Sequence, residues 1–192
     1  KVSFNVSVPA DTIAPTVAVT ANATSLSASK TATITFTLSE SSSNFVVGDI
    51  SVSGGTLSNF AGSGTTYSAT FTPAPNSTAN GVVSVASGVF TDSGGNANAD
   101  GADTNNAISL VVDTALPTIA LSTSKSSLIA GESTTLIFVL SEPSTTFSVS
   151  DVTVSGGKLS NFTGSGAAYA ATFIPSDNST ANGVISVSSG VF

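Results

Sequence analysis

Carboxylates and amides are nearly all the chemistry this chain carries. Its 192 residues hold eleven Asp and Glu against four lysines, with no Cys, Met, Trp or His. Without imidazole or thiol there is no Ser-His-Asp or Cys-His arrangement and no ordinary zinc site. What remains suits a hard cation. The densest stretch presents Asp92, Asn96, Asn98, Asp100 and Asp103, spaced by Ser, Ala and Gly, so that side-chain oxygens alternate with small residues that let carbonyls approach an ion. Calcium takes six to eight such oxygens at about 2.3–2.6 Å. Asn96, Asn98, Asp100 and Gly101 partly imitate the opening of an EF-hand loop. Their first ligand is Asn, however, and no Glu stands at the twelfth position, so the motif alone is weak.

The elements that must position these acids are strands. Ser, Thr, Ala, Gly and Val dominate, strong helix formers are scarce, and no stretch keeps a helical period. Val2, Phe4, Val6 and Val8 alternate with polar residues, which predicts a strand over Lys1–Val8. Pro9 and Pro15 then bracket a stiff connector. After it we expect strand A at Val17–Thr20 and strand B at Thr31–Leu38, with Ala32, Ile34, Phe36 and Leu38 facing in. Strand C follows near Phe45–Val52, D around Leu57–Phe60, E at Thr66–Thr72, F at Val82–Phe90 and G at Ile108–Val112. Short strands at this spacing, separated by turn chemistry, predict an all-β immunoglobulin-like sandwich of about seven strands.

The chain then repeats itself. Ile50–Phe90 returns without a gap as Val152–Phe192, with 29 identities in 41 positions at an offset of 102. A spacing of that size predicts tandem units of ordinary domain size. The expected division is an isolated strand at 1–10, a first repeat at 11–112 and a second at 113–192, the second lacking a strand G within this sequence.

In that topology strand A starts at the end where the chain enters, B returns to it and the F–G loop lies there too. Asp11, Glu40 and the acids of the loop should therefore meet at one pole, with Asp113 and Glu142 as the repeated pair. The expected ligand set is Asp11, Glu40, Asp92, Asn96, Asp100, Asp103, Asp113 and Glu142, and calcium is the expected ion. The competing reading makes Asp92–Asp103 a long solvated loop and Asp11 and Glu40 turn residues. Asp49 and Asp151, beside strand C, suit turn capping. A sandwich without strand G leaves an open edge, and residues 1–8 are a spare strand of G type. Two readings stay open: a window on a longer array, or donation of residues 1–8 into the second repeat of another copy.

The sequence resembles the bacterial immunoglobulin-like repeats of giant surface adhesins and biofilm-associated proteins. The residues that carry this are Asp-Thr-x-x-Pro-Thr at Asp11–Thr16 and Asp113–Thr118, the Leu-Ser-Glu ending at Glu40 and Glu142, the Gly-Gly stretch at Val52–Phe60 and Val154–Phe162, and Val89–Asn96. The resemblance implies an extracellular, non-enzymatic module of an adhesin or stalk, stiffened by calcium at its joints. Its expected partners are neighbouring repeats or copies of itself head to tail, and a cell-surface or glycan target.

Charge excludes other classes. A net charge of −7 leaves no basic face for phosphates, so nucleic acid is not an expected partner. No apolar run approaches the roughly 20 residues of a membrane-spanning helix. Two tyrosines and no tryptophan offer little to line a sugar cleft, and no catalytic function is expected.

Overall fold

A computed structural model of the chain describes residues 3–4, 9–100 and 103–192. It divides into two compact units, Lys1–Ala115 and Leu116–Phe192. The strand expected over Lys1–Val8 lies outside the described residues apart from Ser3 and Phe4, which have no regular structure.

The first unit is a two-sheet sandwich. One sheet has the order β1 (Val17–Ala21), β3 (Ala32–Ser42), β5 (Gly55–Pro73). The other has the order β2 (Ser25–Ser27), β7 (Ala107–Asp113), β6 (Gly81–Val85), β4 (Ile50–Ser53). All ladders are antiparallel except that of β2 with β7, which runs parallel through Leu26 and Val112. Alternation decides what enters the core. Ala32, Ile34, Phe36 and Leu38 of β3 are buried, and their partners Val17, Val19, Tyr67, Ala69 and Phe71 share that face. Opposite them lie Leu26, Val83, Val85, Leu110 and Val112. Burying each large apolar side chain contributes about 1.5–3 kcal/mol, so the period-two pattern alone orients the sheets.

Strands A and G differ from expectation by a residue at an end, and B to F differ by more. Strand B extends to Ser42. Strand C shrinks to Ile50–Ser53, because Val47–Asp49 forms a 3-10 turn in which Asp49 Oδ2 accepts the Val46 N–H at 2.8 Å. Asp151 caps the equivalent turn through Ser148, also at 2.8 Å. Strands D and E are one continuous strand folded back on itself: the Ser58 hydroxyl donates to the Thr70 carbonyl at 3.5 Å, and Gly62 and Gly64 take φ values of +137° and +66° at the bend. Strand F ends at Val85, and β2 was not foreseen.

The second unit repeats the plan with five strands: β8 (Ile119–Thr123), β9 (Thr134–Ser144), β10 (Val152–Ser155), β11 (Gly157–Pro175) and β12 (Val184–Val187). The sheets are β8-β9-β11 and β10-β12. Leu136, Phe138, Leu140, Phe147, Tyr169, Ala171 and Phe173 form its core.

Candidate metal centre

Glu40 stands two residues past Leu38 on β3, so it continues the inward face beyond the point where the core ends. Asp92 follows the buried Phe90 and is itself only 5% exposed. Asp11 lies in the segment that leads into β1, where its Oδ1 accepts the Ile13 N–H at 3.0 Å. Each of the three offers an oxygen, and these oxygens all lie within 4.8 Å of one another.

The backbone around the trio is tied on three sides. Thr16 N–H donates to Ser39 Oγ at 2.9 Å, and Ser39 N–H donates to the Thr16 carbonyl at 3.0 Å, which fixes the incoming segment to β3. Ala99 N–H donates to the Pro15 carbonyl at 3.0 Å, which fixes the same segment to the loop between β6 and β7. The Asn96 amide nitrogen reaches the Asp11 carbonyl at 3.3 Å.

No lysine among the described residues forms an ion pair with the acids of the site. Among the described residues the ion pair is Lys125 with Glu132, at 2.9 Å in the other unit. Partial burial pushes the Glu40 carboxyl above the ordinary carboxylate range, and the charge of Asp11, a hydrogen bond shared with it and the charge of Asp92 add to the push. Asp92 moves the other way. Its Oδ2 accepts the Asn96 Nδ2–H at 2.8 Å and its Oδ1 the Asn96 backbone N–H at 2.8 Å, and these donors hold it below the usual range despite its burial. An ionised carboxylate has about four lone-pair sites, so Asp92 keeps acceptor capacity for a cation. Three carboxylates with oxygen as the sole donor type fit a hard ion such as calcium.

Of the remaining expected ligands, Asn96 borders the trio and the others are engaged in contacts of their own. Asn96 turns its amide nitrogen toward the acids, as a donor to Asp11 and Asp92. Asp100 is buried and accepts the Val17 N–H on Oδ1 at 2.7 Å, which anchors the start of β1. Asp103 is exposed, and its N–H donates to the Asp100 carbonyl at 2.9 Å. Asp113 is exposed and repeats the turn made by Asp11, its Oδ1 accepting the Ala115 N–H at 3.3 Å. Glu142 sits half-buried on β9 of the second unit.

Asn98 organises the loop, and sequence reasoning gave it no such role. It is 2% exposed. Its Oδ1 accepts the N–H groups of Val89 at 2.8 Å and Phe90 at 3.1 Å, while Nδ2 donates to the Ala86 carbonyl at 2.9 Å and to Asp100 Oδ2 at 3.3 Å. The loop that carries Asp92 and Asp100 is thus held in place by protein hydrogen bonds.

The family model for the bacterial Ig-like domain matches this chain twice, over residues 11–109 and 113–192. No curated protein matches it. Among the described residues no helix is long and apolar enough to cross a membrane.

Proposed function

The chain belongs to the bacterial Ig-like domain family as a tandem structural repeat, and from that premise we propose that it is a load-carrying segment of an extracellular adhesin or stalk, stiffened by calcium. The observation that carries the calcium reading is the meeting of Asp11, Glu40 and Asp92 within 4.8 Å, from three separated stretches of a chain with few charges. An ion held by all three would tie the incoming segment at Asp11 to the strand end at Glu40 and the loop at Asp92. Such a clamp would turn the connector before β1 from a hinge into a fixed strut. The proline-bracketed connector already restricts that segment. Rigid repeats of this kind would carry a distal adhesive region away from a cell surface, with neighbouring repeats as partners.

Titration with calcium followed by calorimetry tests this. Binding should raise the melting temperature, because a ligand at about 100 times its Kd adds about 2.7 kcal/mol to the folded state. Glu40→Gln and Asp92→Asn should each remove most of that rise. A melt that calcium and EDTA leave alike would refute the clamp.

A further inference from the structure

The chain enters the first unit through β1 and leaves it after β7, so a pull along the chain is borne by the pairings of those strands. β1 is held to β3 from Val17 against Leu38 to Ala21 against Ile34, and its Val19 N–H donates to the Asn105 carbonyl at 2.7 Å, just ahead of β7. β2, the next strand on the entering side, lies parallel to β7, with Ser25, Leu26 and Ser27 against Val111, Val112 and Asp113. Val111 N–H donates to the Thr24 carbonyl at 3.0 Å. Parallelism decides how this ladder is loaded. A pull on the entering chain draws β2 toward its own N-terminus, and a pull on the leaving chain draws β7 toward its C-terminus. In parallel strands these are opposite directions, so the pair is made to slide. Its hydrogen bonds lie across the direction of slip and share the load instead of opening one at a time.

Sliding gives way to peeling wherever the end of β7 can lift off its neighbours, and Thr114 stands where that would begin. It is the first residue past β7 and is only 5% exposed. Its hydroxyl donates to the Ala74 carbonyl at 2.6 Å and accepts the Ser77 N–H at 2.9 Å, while its own N–H donates to the Ser77 carbonyl at 2.9 Å. The turn after β5 thus grips the outgoing chain at one residue, through backbone and side chain together. We infer that Thr114 is a metal-independent latch: it keeps a load on the outgoing chain directed along β7, so that the parallel β2–β7 ladder is loaded in shear. Its use rests on the load-carrying role proposed for the chain. Asp11, Glu40 and Asp92 take no part in it, so the latch holds with or without calcium.

Single-molecule stretching in EDTA separates the latch from the calcium clamp. The chain has no cysteine of its own, so introduced cysteines give defined handles. With the 192-residue chain held by its two ends, the first unit's event is recognised by the length released, Val17–Thr114 against Ile119–Val187 in the second. For comparison, Ser43→Cys and Ser63→Cys put handles beside the Ser42 and Gly64 pair at one end of the β3–β5 ladder, where a pull opens pairs one by one. The first unit should withstand more force end to end than from Ser43 and Ser63. Forced unfolding reports the unfolding rate. Thr114→Val keeps the shape and removes the hydroxyl's two hydrogen bonds, so under a fixed end-to-end load it should unfold about tenfold faster. Pulled from Ser43 and Ser63 it should behave as the wild type does, and Thr114→Ser should restore the end-to-end rate. A Thr114→Val chain weakened alike in both geometries would make the hydroxyl an ordinary stabilising contact, and one weakened in neither would remove the latch. The comparison of geometries needs no change at Thr114: a first unit that yields as easily end to end as from Ser43 and Ser63 would overturn the shear loading.

Discussion

At the buried Asn98 one amide satisfies two backbone N–H groups, that of Phe90 among buried atoms, and a backbone carbonyl. Leaving a buried polar group unpaired costs about 1–3 kcal/mol, so Asn98→Ala should cost at least about 2 kcal/mol, read as a lowered denaturant midpoint. Nothing in the composition distinguishes this residue from a solvated asparagine, which is why the loop looked like a set of ligands. The role of Asp100 at the start of β1 was hidden for the same reason: its partner, the Val17 N–H, is 83 residues away. Glu40 and Asp92 could be placed because each lies just beyond a stretch whose strand or core role the alternation reveals, and Asp11 because it stands in the segment leading into β1. Glu40 also makes stability depend on pH. Its carboxyl is held above its unfolded value, so without metal it adds stability at pH below that value, and this is lost as pH rises through the folded pKa. Asp92, held low, adds stability above its unfolded value that is lost as pH falls through its folded pKa. In EDTA, Glu40→Gln should therefore flatten the loss on the alkaline side of the Glu40 titration while leaving the acid limb in place. A pH series of melts checks it.

Strands were read from alternation and their ends from turn residues, so the interiors of β1, β3 and β7 came out right while strands C and F came out too long. β2 escaped because three residues, Ser25–Ser27, carry too little pattern, and its pairing with β7 comes from the far end of the unit. The expected tail of strand F beyond Val85 is instead drawn into a turn by Asn98. Close packing also fixes elements at particular glycines. A Cβ on Gly81, at the start of β6, would lie 2.7 Å from Phe71 Cε1, and the Phe71 ring is fully buried. Overpacking of this sort costs about 1–3 kcal/mol, so Gly81→Ala should lower the melting temperature of the first unit. Because Phe71 supplies the clash, adding Phe71→Leu should recover part of the loss, and strictly additive effects in this double-mutant cycle would show that the ring is not what Gly81 accommodates.

Across the whole chain, the two repeats share a sequence and differ in what they bury. Among the described residues the core of the first unit holds sixteen buried apolar side chains and that of the second holds seven. With apolar burial as the dominant favourable term, the second unit should melt first. Calorimetry of the chain in EDTA should then show two transitions, with amide exchange fastest in β12, whose one partner is β10. Asp11, Glu40 and Asp92 all belong to the first unit, so calcium should move the upper transition and leave the lower one where it was. Occupation of the groove beside β12 should do the reverse. A peptide of residues 107–113, the segment that fills the equivalent place in the first unit, would bury Leu128, Ile185 and Val187 and raise the lower transition alone. A single cooperative transition that both ligands shift together would mean that the units fold as one body, and the assignment of each ligand to its own sandwich would fail.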